Sequence, residues 1–362
     1  MFKVIVLAVP ENYESIGGLY LPISEYIKMF SQYYDVRILK MPYRYNIQEY
    51  NKYRRIIGTI ITENEVKAIL AYGLNVSYAI SKILDKRCRA MLVSLTRDSL
   101  YFGTLFSLLM GKTINANSIK RILRLIPYRM KEKYLTRNCK CMVYASKWDA
   151  DKVSNGYGKI KADIITVPNG IHVTDFFTNK KHDFEKEIVL GFIGYWTVDY
   201  MDECIYPMLS ICEAINNKNE IKVKLILAGR NISNSQKNVL SKYEFVKVLG
   251  AVEQLDEFYN SIDIFISTVK KKNGILNKVL EAFSYKKCVI GFEDNFYAIE
   301  GCVNGENCLI ANTNEEFEAM LYHIKNGKIN PDTIGVNAYK LIQVHYSWDS
   351  ILLPLYEYIG KV

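Results

Sequence analysis

Short apolar runs, spaced by helix-length amphipathic stretches, recur along the whole chain. In the first half the strand-length runs fall at residues 2–8, 36–39, 68–71, 91–95 and 142–145. The second half repeats the plan at 188–193, 223–227, 245–249, 262–269 and 288–292. Runs that are apolar on both faces read as buried strands of parallel sheets, and the amphipathic stretches between them as crossover helices. The chain has 362 residues, 49% of them hydrophobic, which is enough for two such domains. The pattern therefore predicts an α/β protein with two doubly wound sheets.

The densest chemistry lies in FVKVLGAVEQLDEFYNSIDIFISTVKKKNGILNKVLEAF, residues 245–283. It reads as strand, acidic helix, strand, glycine-bearing loop, helix. The first run stops at Gly250, and Leu255, Phe258 and Tyr259 then recur at helical spacing. Lys270, Lys271, Lys272, Asn273 and Gly274 form the loop, and Asn277, Lys278 and Glu281 open the last helix. Lys278 and Glu281 stand three apart, so they share one helix face. Such a pair is common on solvated surfaces. Beside a helix start and just outside a strand end, it also forms a holder for a phosphorylated ligand. Earlier in the chain, Gly17-Gly18 sits between the first strand and the helix-like LYLPISEYIKMF, where it permits close backbone approach. The chain has no G-x-G-x-x-G, so a dinucleotide is not indicated.

The ordered patterns G-x-V, L-x-x-x-Y-x-x-x-D and G-x-x-x-K-x-x-E-A-F resemble the C-terminal half of the family-four, or group 1, retaining glycosyltransferases with the GT-B fold. GILNKVLEAF is similar to a branch with a G-I-x-N-K-x-x-E motif. ITVPNGIHVTDF, residues 165–176, resembles the family's interdomain crossing, and GCVNGENCLIA, residues 301–311, its last turn and strand. Tyr346-Ser347-Trp348-Asp349 leads into a helix that in the family crosses back to the first domain. The resemblance implies an acceptor-binding domain over 1–168, a nucleotide-sugar domain over 169–345 and a returning helix over 346–362.

The same resemblance implies a nucleotide-diphosphate sugar, UDP- or GDP-linked, as donor substrate. It further implies a glycan or lipid-linked acceptor, hexosyl or glucuronosyl transfer in cell-surface glycan synthesis, and no cofactor or metal. By position, Gly250 and Val252 would flank the base, Lys278 would face phosphate, and Glu281 would bind hydroxyls. Gly17, Gly18, Gly194, Gly274 and Asn277 would line the same ligand. The chain departs from the family at Asn273, where many members have glutamate eight residues before the helix acid. The loop of residues 194–199 lacks arginine and lysine, and the family's usual cleft histidine directly after the strand ending at residues 71–73 is missing. Arg230 and Lys272, with Lys270 and Lys271, are the candidates for the missing positive charge. A retaining reaction needs no protein base; an inverting one would call on Asp98. The departures leave open an inactive binding subunit, or a sugar-nucleotide epimerase of the same fold.

Charge is unevenly shared. Residues 1–167 hold 27 Lys+Arg and 13 Asp+Glu, a net of +14, whereas the remainder holds 20 and 25, a net of −5. Within residues 112–161 the counts are 13 and 3. There SIKRILRLIPYRMKEKYL interleaves cations with Ile, Leu and Tyr, after the apolar LYFGTLFSLLM. This suits an anionic membrane surface, and equally a solvated helix. No nucleic-acid-binding module accompanies the patch, so nucleic acid is not an expected partner.

The apolar run at 100–110 is shorter than the ~20 residues that span a bilayer. No signal-peptide pattern opens the chain, and eight cysteines without a small-domain framework read as reduced thiols, so a cytoplasmic home is expected, with contact at the inner membrane face. Asp149-Ala150-Asp151 spells a metal-binding D-x-D, but Ser146 three residues before Asp149 reads as a helix cap. Ser94, Ser99 and Ser146 have no upstream histidine, so a hydrolase triad built on them is not expected.

Overall fold

The structure is a computed structural model that describes residues 3–15, 17–42, 45–110, 116–173, 184, 186–196, 201–269 and 275–361. The chain divides into two compact units, Met1–Gly170 with Trp348–Val362, and Ile171–Ser347.

Unit 1 alternates strand and helix: β1 (Val4–Pro10), α1 (Gly17–Phe30), β2 (Asp35–Met41), α2 (Ile47–Glu63), β3 (Val66–Tyr72), α3 (Leu74–Ile83), β4 (Leu92–Arg97), α4 (Leu100–Met110), α5 (Ala116–Asn138), β5 (Cys141–Tyr144), α6 (Lys147–Gly156) and β6 (Asp163–Thr166). All strand pairs are parallel, in the order β2-β1-β3-β4-β5-β6. Central β1 is buried at every position, which is why its sequence is an unbroken apolar run. One sheet face packs against residues of α3, α5 and α6, among them Ile80, Leu135 and Val153.

The other face of that sheet packs against Ile23, Tyr26 and Phe30 of α1 and Trp348, Ile351, Leu352, Leu355 and Ile359 of α13 (Trp348–Lys361). The C-terminal helix therefore belongs to unit 1 although the whole of unit 2 precedes it in sequence. Gly170 marks the crossing, and a Cβ there would stand 2.5 Å from Cδ2 of Trp348. At the end of β4, Arg97 is buried at φ 69°. Its guanidinium donates to the Tyr26 hydroxyl and the Val167 carbonyl, each at 3.0 Å, and to Asn169. These bonds extend the strand beyond the apolar run at 91–95, through polar Thr96 and Arg97.

Unit 2 continues with β7 (Ile188–Tyr195), α7 (Tyr206–Asn217), β8 (Val223–Arg230), α8 (Asn234–Leu240), β9 (Val246–Gly250), α9 (Leu255–Ser261), β10 (Ile264–Ser267), α10 (Asn277–Ser284), β11 (Cys288–Gly291), β12 (Leu309–Ile310), α11 (Asn314–Lys325) and α12 (Pro331–His345). The parallel order is β12-β11-β10-β7-β8-β9. Asp263 ties β10 to β7, accepting from the Val189 amide at 2.8 Å while its own amide donates to the Val189 carbonyl. The strand order reverses between β7 and β10, and in such sheets the crevice beyond the strand ends at that point receives ligands.

Candidate active site

Among the described residues, those singled out in unit 2 lie at or just beyond the C-terminal ends of its strands, or in the helix that follows β10. Gly194 of β7 pairs in register with Gly229 of β8, and Tyr195 with Arg230. Gly229 has φ 138°, and a Cβ on it would run into the Gly194 carbonyl oxygen. Glycine is therefore required where these two backbones close on each other. Arg230 is exposed at the last position of β8, and its carbonyl accepts from the Trp196 amide at 3.0 Å. Gly250 ends β9 at φ 76° with open space where a Cβ would stand, and Val252 half-buries against the unit 2 core.

Helix α10 supplies the charged pair. Leu276 gives it no side-chain cap, and Asn277 is exposed at its first position. Lys278 is half-buried, its Nζ 4.4 Å from the centroid of the Phe192 ring on β7, so the ammonium lies against the strand at the sheet's reversal point. Val279, Leu280, Ala282 and Phe283 face the core and fix the helix rotation that leaves Lys278 and Glu281 half-buried.

Glu281 accepts a hydrogen bond of 2.9 Å from the hydroxyl of fully buried Tyr259 on α9. Burial pushes the Glu281 carboxyl up, while the Tyr259 hydroxyl and the Lys278 charge pull it down. The Tyr259 ring stacks on Tyr285, with centroids 4.2 Å apart and planes 14° from parallel, and the Tyr285 hydroxyl donates to Asp256 at 2.6 Å. Sequence reading placed Tyr259 only in a periodic pattern. The fold makes it the group that aims the helix acid.

Tyr259→Phe should destabilise the protein by about 1–3 kcal/mol, because a buried carboxylate loses a donor. It should also raise the Glu281 carboxyl further, since the lost bond favoured the ionised form. Chemical denaturation checks the first effect, and equal stability of the two proteins would show that the bond contributes nothing.

Unit 1 holds the other candidates. Gly17 and Gly18 are the first two residues of α1, not a loop ahead of it. Asp98 is exposed just after β4, and its amide donates to the Thr96 carbonyl at 3.0 Å. Ser146 caps α6: its Oγ accepts from the Asp149 amide and donates to Asp149 Oδ2 at 2.6 Å, while Asp149 Oδ1 accepts from the Ser99 amide at 2.9 Å. Both carboxylate oxygens thus serve the local fold. Among the described residues no group of three or more His, Cys, Asp or Glu is placed to hold a metal ion. Lys272 and Gly274, with Lys270, Lys271 and Asn273, lie outside the described residues, as do Thr197, Val198 and Asp199.

Residues 187–326 match the sequence profile of the family described as glycosyl transferases group 1. No curated protein matches the chain in sequence. Sucrose-phosphate synthase from Thermosynechococcus elongatus has a similar structure, with a TM-score of 0.73 at 12% identity over 99% of this chain and 98% of its own. HepE from Anabaena, solved in complex with UDP-glucose, aligns at a TM-score of 0.68 and 14% identity over 100% of both chains. TarM from S. aureus aligns at 0.60 and 14% identity over 81% of this chain, which spans only 54% of TarM. The fold is that of the GT-B glycosyltransferases, and unit 2 carries the group 1 match. Among the described residues no helix is long and apolar enough to cross a membrane.

Proposed function

We propose that the protein is a group 1 glycosyltransferase that moves a sugar from a nucleotide diphosphate to a glycan or lipid-linked acceptor in cell-surface glycan synthesis. The observation that carries this reading is the position of Lys278 and Glu281. Both stand on the first turns of α10, which follows β10 at the reversal point of a sheet matched to that family. The UDP-glucose held by HepE supports a uridine-linked donor. The complex of TarM with UDP, fondaparinux and α-GlcNAc-glycerol supports a glycan-type acceptor. Free thiols at all eight cysteines fit a reducing, cytoplasmic setting.

In this reading Lys278 and Arg230, with the N-terminus of α10, stabilise charge growing on the departing diphosphate. Glu281, held by Tyr259, binds donor hydroxyls. A retaining reaction lets the leaving phosphate take the acceptor proton; Asp98 is the base for an inverting one. Cationic side chains and a helix dipole replace a metal ion in this role. The test is transfer from a panel of UDP- and GDP-sugars with and without EDTA. Transfer from one donor class should persist undiminished in chelator. Abolition by EDTA with rescue by manganese would overturn the metal-free mechanism, and no turnover of any sugar nucleotide would overturn the enzyme assignment.

A further inference from the structure

Helix α5 presents its apolar stripe outward. Ile119, Ile122, Leu123, Ile126 and Met130 follow the i, i+3, i+4, i+7, i+11 spacing of a single helix face. They are exposed to between 46% at Ile122 and 70% at Ile126, and Leu109 near the end of the preceding α4 is 74% exposed. The core side of the helix is supplied by Leu135 and by Glu132, both fully buried. Glu132 is the one acidic residue of α5. Exposed cations flank the stripe on both sides, Lys120 and Arg124 on one and Arg129 and Lys133 on the other. A contiguous run of large apolar side chains on a water-facing surface marks a place that something covers.

The charge pattern decides what covers it. A second copy meeting this helix through the same face would bring Lys120, Arg124, Arg129 and Lys133 against their own counterparts. An anionic bilayer meets both features at once, with phosphates for the flanking cations and the acyl boundary for the stripe. We propose that α5, with the end of α4, docks on an anionic membrane surface, its Ile/Leu/Met stripe entering the headgroup boundary. The proposal deepens the glycosyltransferase reading, on which it rests only for the consequence that the acceptor is carried by that membrane.

The test uses the full chain and vesicles of phosphatidylcholine, with or without phosphatidylglycerol, and reads sedimentation rather than transfer. Wild type should pellet with the anionic vesicles, and added salt should release it, since the screening length is about 8 Å at physiological ionic strength. Serine at Ile122, Leu123, Ile126 and Met130 together should lower partitioning by about a hundredfold on every vesicle. Glutamine at Lys120, Arg124 and Arg129 should lower it by about a hundredfold on anionic vesicles alone. Absence of wild-type binding, or unchanged binding of the serine variant, would overturn the proposal. So would a wild-type dimer that the serine variant splits, because the stripe would then be a self-association face. Transfer activity lost without loss of sedimentation, or the reverse, separates failure of one reading from failure of the other.

Discussion

Transfer should fall at least tenfold in Lys278→Ala while the folded protein persists. The ammonium stands on the first turn of α10 and lies 4.4 Å from the centroid of the Phe192 ring. That contact holds it at the strand ends, where a diphosphate would sit, so its rotamer is partly selected before the donor arrives. One charge-assisted phosphate contact contributes about 1.5–3 kcal/mol, a factor of about ten to a hundred in donor binding or rate. Kinetics with a sugar nucleotide, and calorimetry with the free nucleotide diphosphate, read the two parts separately. Unchanged values in a folded variant would remove Lys278 from the site. The companion Glu281→Gln keeps an oxygen to accept from Tyr259, so folding should be spared while hydroxyl recognition and turnover are lost. Full turnover there would sink the role given to Glu281.

What the sequence showed and what it hid follow from the same physics. Strands β1, β7 and β10 lie in parallel sheets covered on both faces, and burial of that kind writes an unbroken apolar run that can be read directly. The end of β4 was hidden because a buried arginine continues it, and only long-range partners at Tyr26, Val167 and Asn169 make that tolerable. Gly17-Gly18 looked like a turn by propensity. It is helical because α1 is held through Ile23, Tyr26 and Phe30, residues further along its length.

In the site, the spacing of Lys278 and Glu281 on one helix was legible, since it depends on local periodicity alone. The donor to Glu281 was not, because Tyr259 is 22 residues away on another helix. For α5 the spacing of Ile119, Ile122, Leu123, Ile126 and Met130 is identical whether that face turns to core or to solvent. What settles its direction is Glu132, an acid that a sequence reading would assign to the wet side.

Stability of the α4–α5 region should fall by about 3 kcal/mol as pH rises from 4.5 to about 7, and Glu132→Gln should abolish the fall. The Glu132 carboxyl is fully buried, and desolvation pushes it up to about 7 from 4.5 despite opposing hydrogen bonds. It accepts from Ser99 Oγ at 2.9 Å, the Tyr157 hydroxyl at 2.9 Å and the Tyr101 amide at 3.2 Å, and so anchors the start of α4. With the folded value above the unfolded one, the native state binds the extra proton inside that window. Below 4.5 both states are protonated and nothing is lost; above about 7 the native state carries the full cost of a buried charge. Asp149, raised to about 6 from 3.8 and bonded to the Ser99 amide, adds a fall of the same sign at lower pH. Hydrogen exchange of the amides at the start of α4 measures this locally, which suits a chain of two units better than a single melting temperature. Glutamine keeps an acceptor for the Tyr101 amide without the charge. The variant should therefore match wild type under acidic conditions and exceed its protection above about pH 7. Parallel pH profiles for the two proteins would show that Glu132 is ionised throughout, and that its three donors offset the cost of burying it.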